Sequence, residues 1–216
     1  MTNNFDSFIF DLDGTLLDTL PDLIFTTNKV LRDAGFPEKS EREILGFIGS
    51  GLRNLLRQVL PETAGEAEVE KMLRAWVTQY AHGGSALTGE YPGMTATLQA
   101  LLRQDKRLAV LSNKHNQGVR ENIAEFFPGL FLAAYGECEF IPRKPDPAGL
   151  LFVMEEIGAT PATCAYVGDS PVDLLTAQRC GVFAIGASWG YHSERELREA
   201  GADAIVSTPG ELLAFA

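Results

Sequence analysis

The sequence predicts an α/β protein in which a parallel sheet is interrupted, after its first strand, by an all-helical segment. The first strand is the short run Ser7–Phe10, and a run that is apolar on both faces is typical of a strand buried between helical layers. Beyond residue 91, amphipathic helices alternate with short apolar strands, as in a parallel sheet covered on both faces. Residues 19–84, between these regions, have the pattern of successive helices without a strand.

We therefore predict two domains, an α/β core of residues 1–18 and 85–216 and a helical cap of residues 19–84. The first cap helix is expected to begin near Thr19, to carry Pro21 in its first turn and to end at Gly35. A glycine-containing stretch at residues 82–85 predicts a flexible joint back to the core. The later core strands are expected at residues 108–111, 133–135, 164–167, 182–185 and 204–206.

Composition excludes several classes of partner. The net charge of −11, from 29 acidic and 18 basic residues, argues against nucleic acid or an anionic membrane, because both need a basic surface. No apolar run approaches the ~20 residues that cross a bilayer, and the first residues lack the pattern of a signal peptide. Three scattered cysteines suit reduced thiols. We expect a cytoplasmic protein, either a monomer or a homodimer.

Four polar clusters each follow a predicted strand or weak strand. They occupy residues 11–15, 112–114, 143–146 and 168–173. In an open parallel sheet, ligands bind at the carboxyl ends of the strands, which all lie at the same edge. The four clusters are therefore predicted to converge on one site.

This predicted site is rich in carboxylates. Asp11, Asp13, Asp169 and Asp173 would repel one another at neutral pH unless positive charge lay among them. A hard divalent cation resolves the repulsion, and Mg²⁺ prefers oxygen ligands of this kind. Lys144 would neutralise further charge. The sequence thus predicts a magnesium site at the edge of the sheet.

The same edge offers groups that bind an anion. Ser112 and nearby backbone N–H groups can donate hydrogen bonds, and glycines at positions 14 and 168 allow close backbone approach. Our candidate phosphate-binding residues are Gly14, Thr15, Ser112, Asn113 and Lys144, with Asn113 acting through its backbone N–H rather than its side chain. For Ser112 the alternative is a helix cap. Lys114 is either at the rim of the site or a plain surface residue.

The chemistry that follows is phosphoryl transfer to a carboxylate. A carboxylate can attack phosphorus and form an aspartyl phosphate, and Asp11 suits that role. Asp13, two residues on, can protonate the leaving oxygen and then deprotonate the hydrolytic water. Leu12 would point away from both if the backbone is extended. Lys144 and the cation would stabilise the negative charge of the transferred group.

Residues 11–16 (DLDGTL) resemble the first motif of the haloacid dehalogenase superfamily, and Ser112, Lys144 and residues 168–173 match its second, third and fourth motifs in order. The resemblance implies a Rossmann-like core, a helical cap and magnesium dependence. It also implies that Asp11 and Asp169 bind the metal through side chains and Asp13 through its backbone carbonyl. Supporting roles then fall to the pair Asp173 and Ser170, with Asp173 holding Lys144 or a metal-bound water.

The carboxylate at Asp13 indicates phosphate chemistry, because dehalogenases and phosphonate-cleaving members of the superfamily lack it. Further details, at residues 18–23, 48–52, 91–93, 112–114 and 189–203, resemble the phosphoglycolate phosphatase group. We expect a magnesium-dependent phosphatase acting on a small phosphorylated metabolite, with 2-phosphoglycolate the leading candidate. The alternatives are a β-phosphoglucomutase-like isomerase, a pyrophosphatase, a sugar phosphatase, and a phospho-ligand sensor without activity.

Substrate specificity is predicted to lie in the cap. The candidate contacts there are Gly49, Ser50, Gly51 and Arg53, in a loop rich in glycine at the start of a helix. The alternative interpretation of these residues is an ordinary helix–helix turn.

Overall fold

The computed structural model describes residues 4–48, 51–83 and 86–216, and it has the α/β fold that the sequence predicts. The strands are β1 Ser7–Phe10, β2 Leu17–Asp18, β3 Gly89–Glu90, β4 Arg107–His115, β5 Ala133–Glu137, β6 Cys164–Gly168, β7 Phe183–Ala187 and β8 Ala204–Val206. The α-helices are α1 Leu20–Asp33, α2 Glu41–Leu45, α3 Leu52–Val59, α4 Glu66–Gly83, α5 Met94–Leu102, α6 Asn116–Phe126, α7 Ala148–Glu156, α8 Pro171–Cys180 and α9 Glu194–Glu199. Short 3₁₀ helices cover Pro161–Thr163 and Pro209–Phe215.

In the described chain, six strands form a parallel sheet in the order β5-β4-β1-β6-β7-β8. The first strand lies inside the sheet, where Phe10 is level with Val110 of β4 and Val167 of β6. The carboxyl ends of β1, β4 and β6 are therefore neighbours, which fixes where residues that follow those strands meet.

Both faces of the sheet are buried against helices. Phe8 and Phe10 belong to one apolar cluster and Ile9 to another, because successive side chains of a strand point to opposite faces. All three side chains are fully buried. Burying side chains of this size contributes about 1.5–3 kcal/mol each, which accounts for the continuous apolar run in β1.

The chain forms two compact units, one of Met1–Asp18 with Glu90–Ala216 and one of Thr19–Gly89. The helical unit ends at Gly89 and not at residue 84. Its own core includes Trp76, whose Nε1 donates to Thr27 Oγ1 at 3.2 Å and whose ring stacks on Tyr80. The joint expected at residues 82–85 falls partly on residues 84 and 85, which lie outside the described residues.

A single buried carboxylate links the first helix of the helical unit to its last segment. Asp22, in the first turn of α1, accepts hydrogen bonds from Leu87 N at 3.0 Å and from Thr88 Oγ1 at 2.6 Å. Asp22 is only 3% exposed, so both bonds are shielded from water. The first and last segments of the unit are thereby held together.

Two local predictions need correction. Strand β4 continues to His115, so residues 112–114 lie within its last part rather than after it. The register with β5 shifts between Leu111 and His115, and this irregularity re-aims the side chains of that stretch. Thr19 occupies the N-cap position of α1, but its side chain makes no capping hydrogen bond. Of the helices in the described residues, none has the length and apolar character to cross a membrane.

Candidate active site

The centre of the site is the ammonium group of Lys144, which lies in the loop after β5. Its Nζ is 2.9 Å from Oδ1 of Asp11, the residue that follows β1, and 2.6 Å from Oδ1 of Asp173, in the first turn of α8. Lys144 is 4% exposed and Asp173 is fully buried. The structure thus joins three of the sequence clusters through one charged group.

Carboxylate oxygens of Asp11, Asp169 and Asp173 lie within 4.8 Å of one another. Asp169 follows β6 and is held on both sides: Thr15 Oγ1 donates to its Oδ1 at 2.8 Å, and the backbone N–H of Tyr191 donates to its Oδ2 at 2.9 Å. The hydroxyl of Thr15 is therefore committed to Asp169.

Asp173 is oriented by the start of its own helix. Ser170 is the N-cap of α8, and its backbone N–H and Oγ donate to Oδ2 of Asp173 at 3.1 and 2.6 Å. This reciprocal capping box leaves Oδ1 of Asp173 facing Lys144. Ser170 thus supports the site by fixing the carboxylate that holds the lysine.

Burial dominates the electrostatics of the cluster. Desolvation, followed by repulsion from Asp173, raises the pKa of Asp11 from 3.8 to about 7, although Lys144 opposes the rise. Burial and the same neighbours raise the pKa of Asp169 well above its ordinary value. For Lys144, burial alone would lower the pKa, but Asp11 and Asp173 outweigh it and raise the pKa. Lys144 is therefore charged, but its single positive charge is not enough to balance the buried carboxylates around it.

The residues of the cluster fit a divalent cation. Three buried carboxylates lie together, and the ammonium group of Lys144 pairs with two of them, Asp11 and Asp173. Among the described residues, Oδ1 of Asp11 has this ion-pair partner but no hydrogen-bond donor in acceptable geometry. Oxygen donors around an unsatisfied buried carboxylate are the ligand set that hard cations take. Both oxygens of Asp173 already contact Ser170 and Lys144, and both oxygens of Asp169 accept hydrogen bonds, so Asp11 has the least satisfied carboxylate of the three.

Glycines make the turns around Asp169 possible. Gly14 has a φ of +85°, and a Cβ added there would collide with the carboxylate of Asp169. A Cβ at Gly190 would collide with Asp169 and with the carbonyl of Gly14. Residues 189–191 follow β7 at the same edge of the sheet. The rule that ligands bind at the carboxyl ends of parallel strands, here called the strand-end rule, could therefore have placed them at the site from sequence.

The side-chain amide of Asn113 has partners that the sequence did not predict. Its side-chain Oδ1 accepts from the backbone N–H of Lys144 at 2.7 Å, and its Nδ2 donates to the Lys144 carbonyl at 3.1 Å. The amide therefore clasps the backbone of the lysine. Ser112 is buried, and its Oγ accepts from the backbone N–H of Lys114 at 3.3 Å. Helix α6 begins with His115 as its N-cap, so Ser112 is not a helix cap.

Asp13 and Lys114 form an ion pair of 2.9 Å, and their side chains are only 19% and 12% exposed. This contact decides the open question about Lys114, which lies at the site and not on a solvated surface. Leu12, between Asp11 and Asp13, is buried in the apolar core.

The helical unit contains the remaining candidates. Arg53 lies in α3 and pairs with Glu66 and Glu70 of α4. Gly51 is the N-cap of α3 and has a φ of +85°. Gly49 and Ser50 lie outside the described residues.

Sequence reasoning missed Tyr166. This residue of β6 is fully buried, yet its hydroxyl lies 3.0 Å from Lys144 Nζ and 3.3 Å from Asp173 Oδ1. Burial raises the pKa of Tyr166 well above its ordinary value, so the phenol remains protonated. An aromatic residue inside a strand has the pattern of a core residue, and nothing in its sequence position signals a polar contact.

Comparison with known proteins defines the class. Residues 8–187 match the family model of haloacid dehalogenase-like hydrolases, so the chain belongs to that family. The chain is 34% identical over 211 residues to phosphoglycolate phosphatase 1 of Pseudomonas aeruginosa, covering 95% of this chain and 77% of that protein. It is 32% identical to a phosphoglycolate phosphatase of Aliivibrio fischeri, over 95% and 93% of the two chains. A crystal structure of a predicted phosphoglycolate phosphatase from Haemophilus somnus superimposes with a TM-score of 0.90, at 28% identity, over 97% and 96% of the chains.

Proposed function

We propose that this enzyme, a phosphoric monoester hydrolase of the haloacid dehalogenase-like family, hydrolyses 2-phosphoglycolate in the cytoplasm through an aspartyl phosphate on Asp11. The observation that carries the proposal is the ion pair of 2.9 Å between Lys144 Nζ and Asp11 Oδ1 inside a buried carboxylate cluster. A carboxylate beside a fixed ammonium is suited to attack an anionic phosphoryl group, because the ammonium offsets the charge that gathers there. The phosphoglycolate phosphatases among the relatives support the substrate.

Asp11 and Asp13 have separate roles in the reaction, as nucleophile and as proton donor and acceptor. An oxygen of Asp11 forms a bond to phosphorus while the bond from phosphorus to the substrate oxygen breaks, and Asp13 gives a proton to that departing oxygen. Water then attacks phosphorus while the bond between Asp11 and phosphorus breaks, Asp13 takes a proton from that water, and inorganic phosphate leaves with the Asp11 carboxylate restored. The burial of Leu12 in the core supports this division, because it fixes the backbone between the two carboxylates.

The phosphoryl oxygens are assigned to Lys144, to Ser112 and to the backbone N–H of Asn113. The side chain of Asn113 already holds the backbone of Lys144, which supports a backbone role for Asn113. The sequence candidates Gly14 and Thr15 fit phosphate less well, because their backbone N–H groups donate to the carbonyls of Leu17 and Leu12 at 2.8 and 3.3 Å. A Mg²⁺ ion bound by the side chains of Asp11 and Asp169 and the carbonyl of Asp13 would keep Asp11 ionised and offset phosphoryl charge.

The helical unit is assigned the recognition of the leaving group. We propose that residues 19–84 act as a cap that excludes water from the reaction, and that the segment at Gly49, Ser50, Gly51 and Arg53 contacts the substrate. Arg53 carries a guanidinium group, which binds carboxylates, and 2-phosphoglycolate carries one; substrate binding would exchange its present partners Glu66 and Glu70 for that carboxylate.

The test is phosphate release from a panel of substrates by the purified enzyme with Mg²⁺. The panel contains 2-phosphoglycolate, β-glucose 1-phosphate, other sugar phosphates, nucleotides and pyrophosphate. We expect 2-phosphoglycolate to have the highest kcat/KM. A preference for pyrophosphate or a sugar phosphate would replace the substrate but keep the mechanism. Conversion of β-glucose 1-phosphate to glucose 6-phosphate would identify an isomerase, and no turnover would favour a sensor.

Two variants test the mechanism in the same assay. Asp11→Asn should abolish turnover while the melting temperature changes little, since the side chains have the same size. Asp13→Ala should slow both formation and hydrolysis of the phosphoenzyme, by roughly 10²–10⁴-fold for a general acid–base group. Turnover by Asp11→Asn at the wild-type rate would exclude Asp11 as the nucleophile.

A further inference from the structure

Tyr166 is a fully buried residue whose hydroxyl reaches the site although its ring belongs to the apolar core. Lys144 Nζ donates to this hydroxyl at 3.0 Å. Nζ also lies 5.6 Å from the centre of the ring, so its closest contact with Tyr166 is the hydroxyl oxygen.

The direction of the hydroxyl proton is set by a second strand. The carbonyl of Leu111 in β4 accepts from Tyr166 at 2.9 Å, whereas Asp173 Oδ1 lies farther away, at 3.3 Å. A phenol can donate one hydrogen bond, and the Leu111 carbonyl, as the nearer acceptor, receives it. The lone pairs of the oxygen are then directed to Lys144.

The ammonium group of Lys144 donates hydrogen bonds to Asp173 and Tyr166, whereas its contact with Asp11 Oδ1 is an ion pair without hydrogen-bond geometry. An ammonium group has three N–H bonds, and the structure places three oxygens around Nζ, from Asp11, Asp173 and Tyr166. Asp11 is the group that reacts in the proposed mechanism, so its contact with Lys144 has to change during the cycle. Asp173 and Tyr166 are the two partners that remain.

We propose that Tyr166 is a positioning residue that aims the third N–H of Lys144 at the phosphoryl group, an inference that rests on the proposed function of Lys144. With two of its donors held by Asp173 and Tyr166, the ammonium group keeps one fixed direction for the third. Loss of the hydroxyl lets Nζ turn away and leaves the buried carbonyl of Leu111 without its donor. The ring alone fills the core, so a role in packing does not need the hydroxyl.

The experiment is a double-mutant cycle on Tyr166→Phe and Lys144→Met, in which the affinity for inorganic phosphate is measured by calorimetry with Mg²⁺. We expect Tyr166→Phe to weaken phosphate binding and to lower kcat by about tenfold, with a smaller change in KM. In the Lys144→Met background the same change should have no effect. Tyr135→Phe, which removes a hydroxyl bound to Glu156 elsewhere in the core unit, is the matched control and should leave phosphate binding unchanged.

A second substitution separates positioning from folding. Tyr166→4-aminophenylalanine retains an N–H donor for the Leu111 carbonyl but is a poor acceptor for Lys144. We expect it to keep the wild-type melting temperature and to lose kcat as Tyr166→Phe does, even if Tyr166→Phe itself folds poorly. Equal losses of phosphate affinity with and without Lys144, or wild-type kcat in both Tyr166 variants, would overturn the inference. An inactive wild-type enzyme would refute the proposed function, while the phosphate cycle would still test Tyr166.

Discussion

The ammonium group of Lys114 lies 2.9 Å from Oδ1 of Asp13, a residue 101 positions earlier in the chain. The pair joins the end of β4 to the segment after β1, and it fixes the side chain that we propose as the general acid and base. Because both side chains are largely buried, the pair is screened less than a surface ion pair. Lys114 therefore controls the orientation of Asp13.

Lys114→Met should lower kcat by about tenfold, because an acid–base group that loses its orientation transfers protons less often in the correct geometry. The measurement is steady-state hydrolysis of 2-phosphoglycolate. Lys106→Met is the control, since Lys106 precedes β4 at the opposite edge of the sheet, where its Nζ donates to Asn4. Equal kcat values for the two variants would show that Asp13 needs no partner.

Removal of metal should stop turnover and lower stability. We expect EDTA to abolish phosphate release and Mg²⁺ to restore it, and Mg²⁺ at 100 times its Kd should stabilise the fold by about 2.7 kcal/mol. Asp169→Asn should lose most of the rise in melting temperature that Mg²⁺ produces, because it removes one of the proposed metal-binding carboxylates. Asp105→Asn makes the same chemical change on the surface, at a φ of +58° that asparagine tolerates, and should behave as wild type. Phosphate release at the wild-type rate in EDTA would contradict a metal enzyme.

The raised pKa of Asp11 predicts an unusual pH dependence in EDTA. The folded-state pKa of about 7 lies above the ordinary value of 3.8, so between these pH values the folded protein holds more protons than the unfolded chain. The contribution of Asp11 to the free energy of unfolding therefore falls as pH rises from about 4 to 7, by a few kcal/mol.

The comparison that isolates this effect is the melting temperature of wild type minus that of Asp11→Asn, measured in EDTA from pH 5 to 8. Asparagine does not titrate, so the difference should decrease as pH rises. Saturating Mg²⁺ should remove the decrease, because metal binding favours the ionised carboxylate. A difference that stays constant with pH in EDTA would show that the environment of Asp11 does not raise its pKa.

Arg53 and Arg57 provide a matched test of substrate recognition. Both belong to α3 and both pair with Glu66, but Arg53 is one turn closer to Gly51. The two arginines are 41% and 56% exposed, so loss of either ion pair should cost at most about 1 kcal/mol of stability. We expect Arg53→Met to raise KM for 2-phosphoglycolate about tenfold and Arg57→Met to leave it unchanged. A similar KM in both variants would remove Arg53 from the list of substrate contacts.

The sequence was sufficient to predict the sheet and the residues that it brings together. Strand β1 was recognisable because burial on both faces requires a continuous apolar run, and the strand-end rule then placed Asp11, Lys144 and Asp169 at one edge. These signals are strong because they are periodic or repeated. They do not depend on the details of side-chain packing.

Contacts that depend on side-chain direction were beyond the sequence. The side-chain amide of Asn113, for which the sequence predicted no partner, binds the backbone of Lys144 in the part of β4 that continues past residue 111 and shifts register there. The contact of Tyr166 with Lys144 was not predictable, because its position in β6 indicates only that its ring is buried and not where its hydroxyl points. Strand ends and partner choice are set by tertiary packing, which a local pattern does not encode.

The hydrogen bonds that Asp22 accepts from Leu87 and Thr88 have a practical consequence for engineering. They hold together the two chain segments at which the helical insertion begins and ends. A sequence taken from a relative and inserted between these segments would therefore begin and end at neighbouring positions. Chimeras that exchange the interior of this insertion between relatives, while retaining Asp22 and Thr88, are therefore a direct route to altered selectivity with an unchanged α/β core.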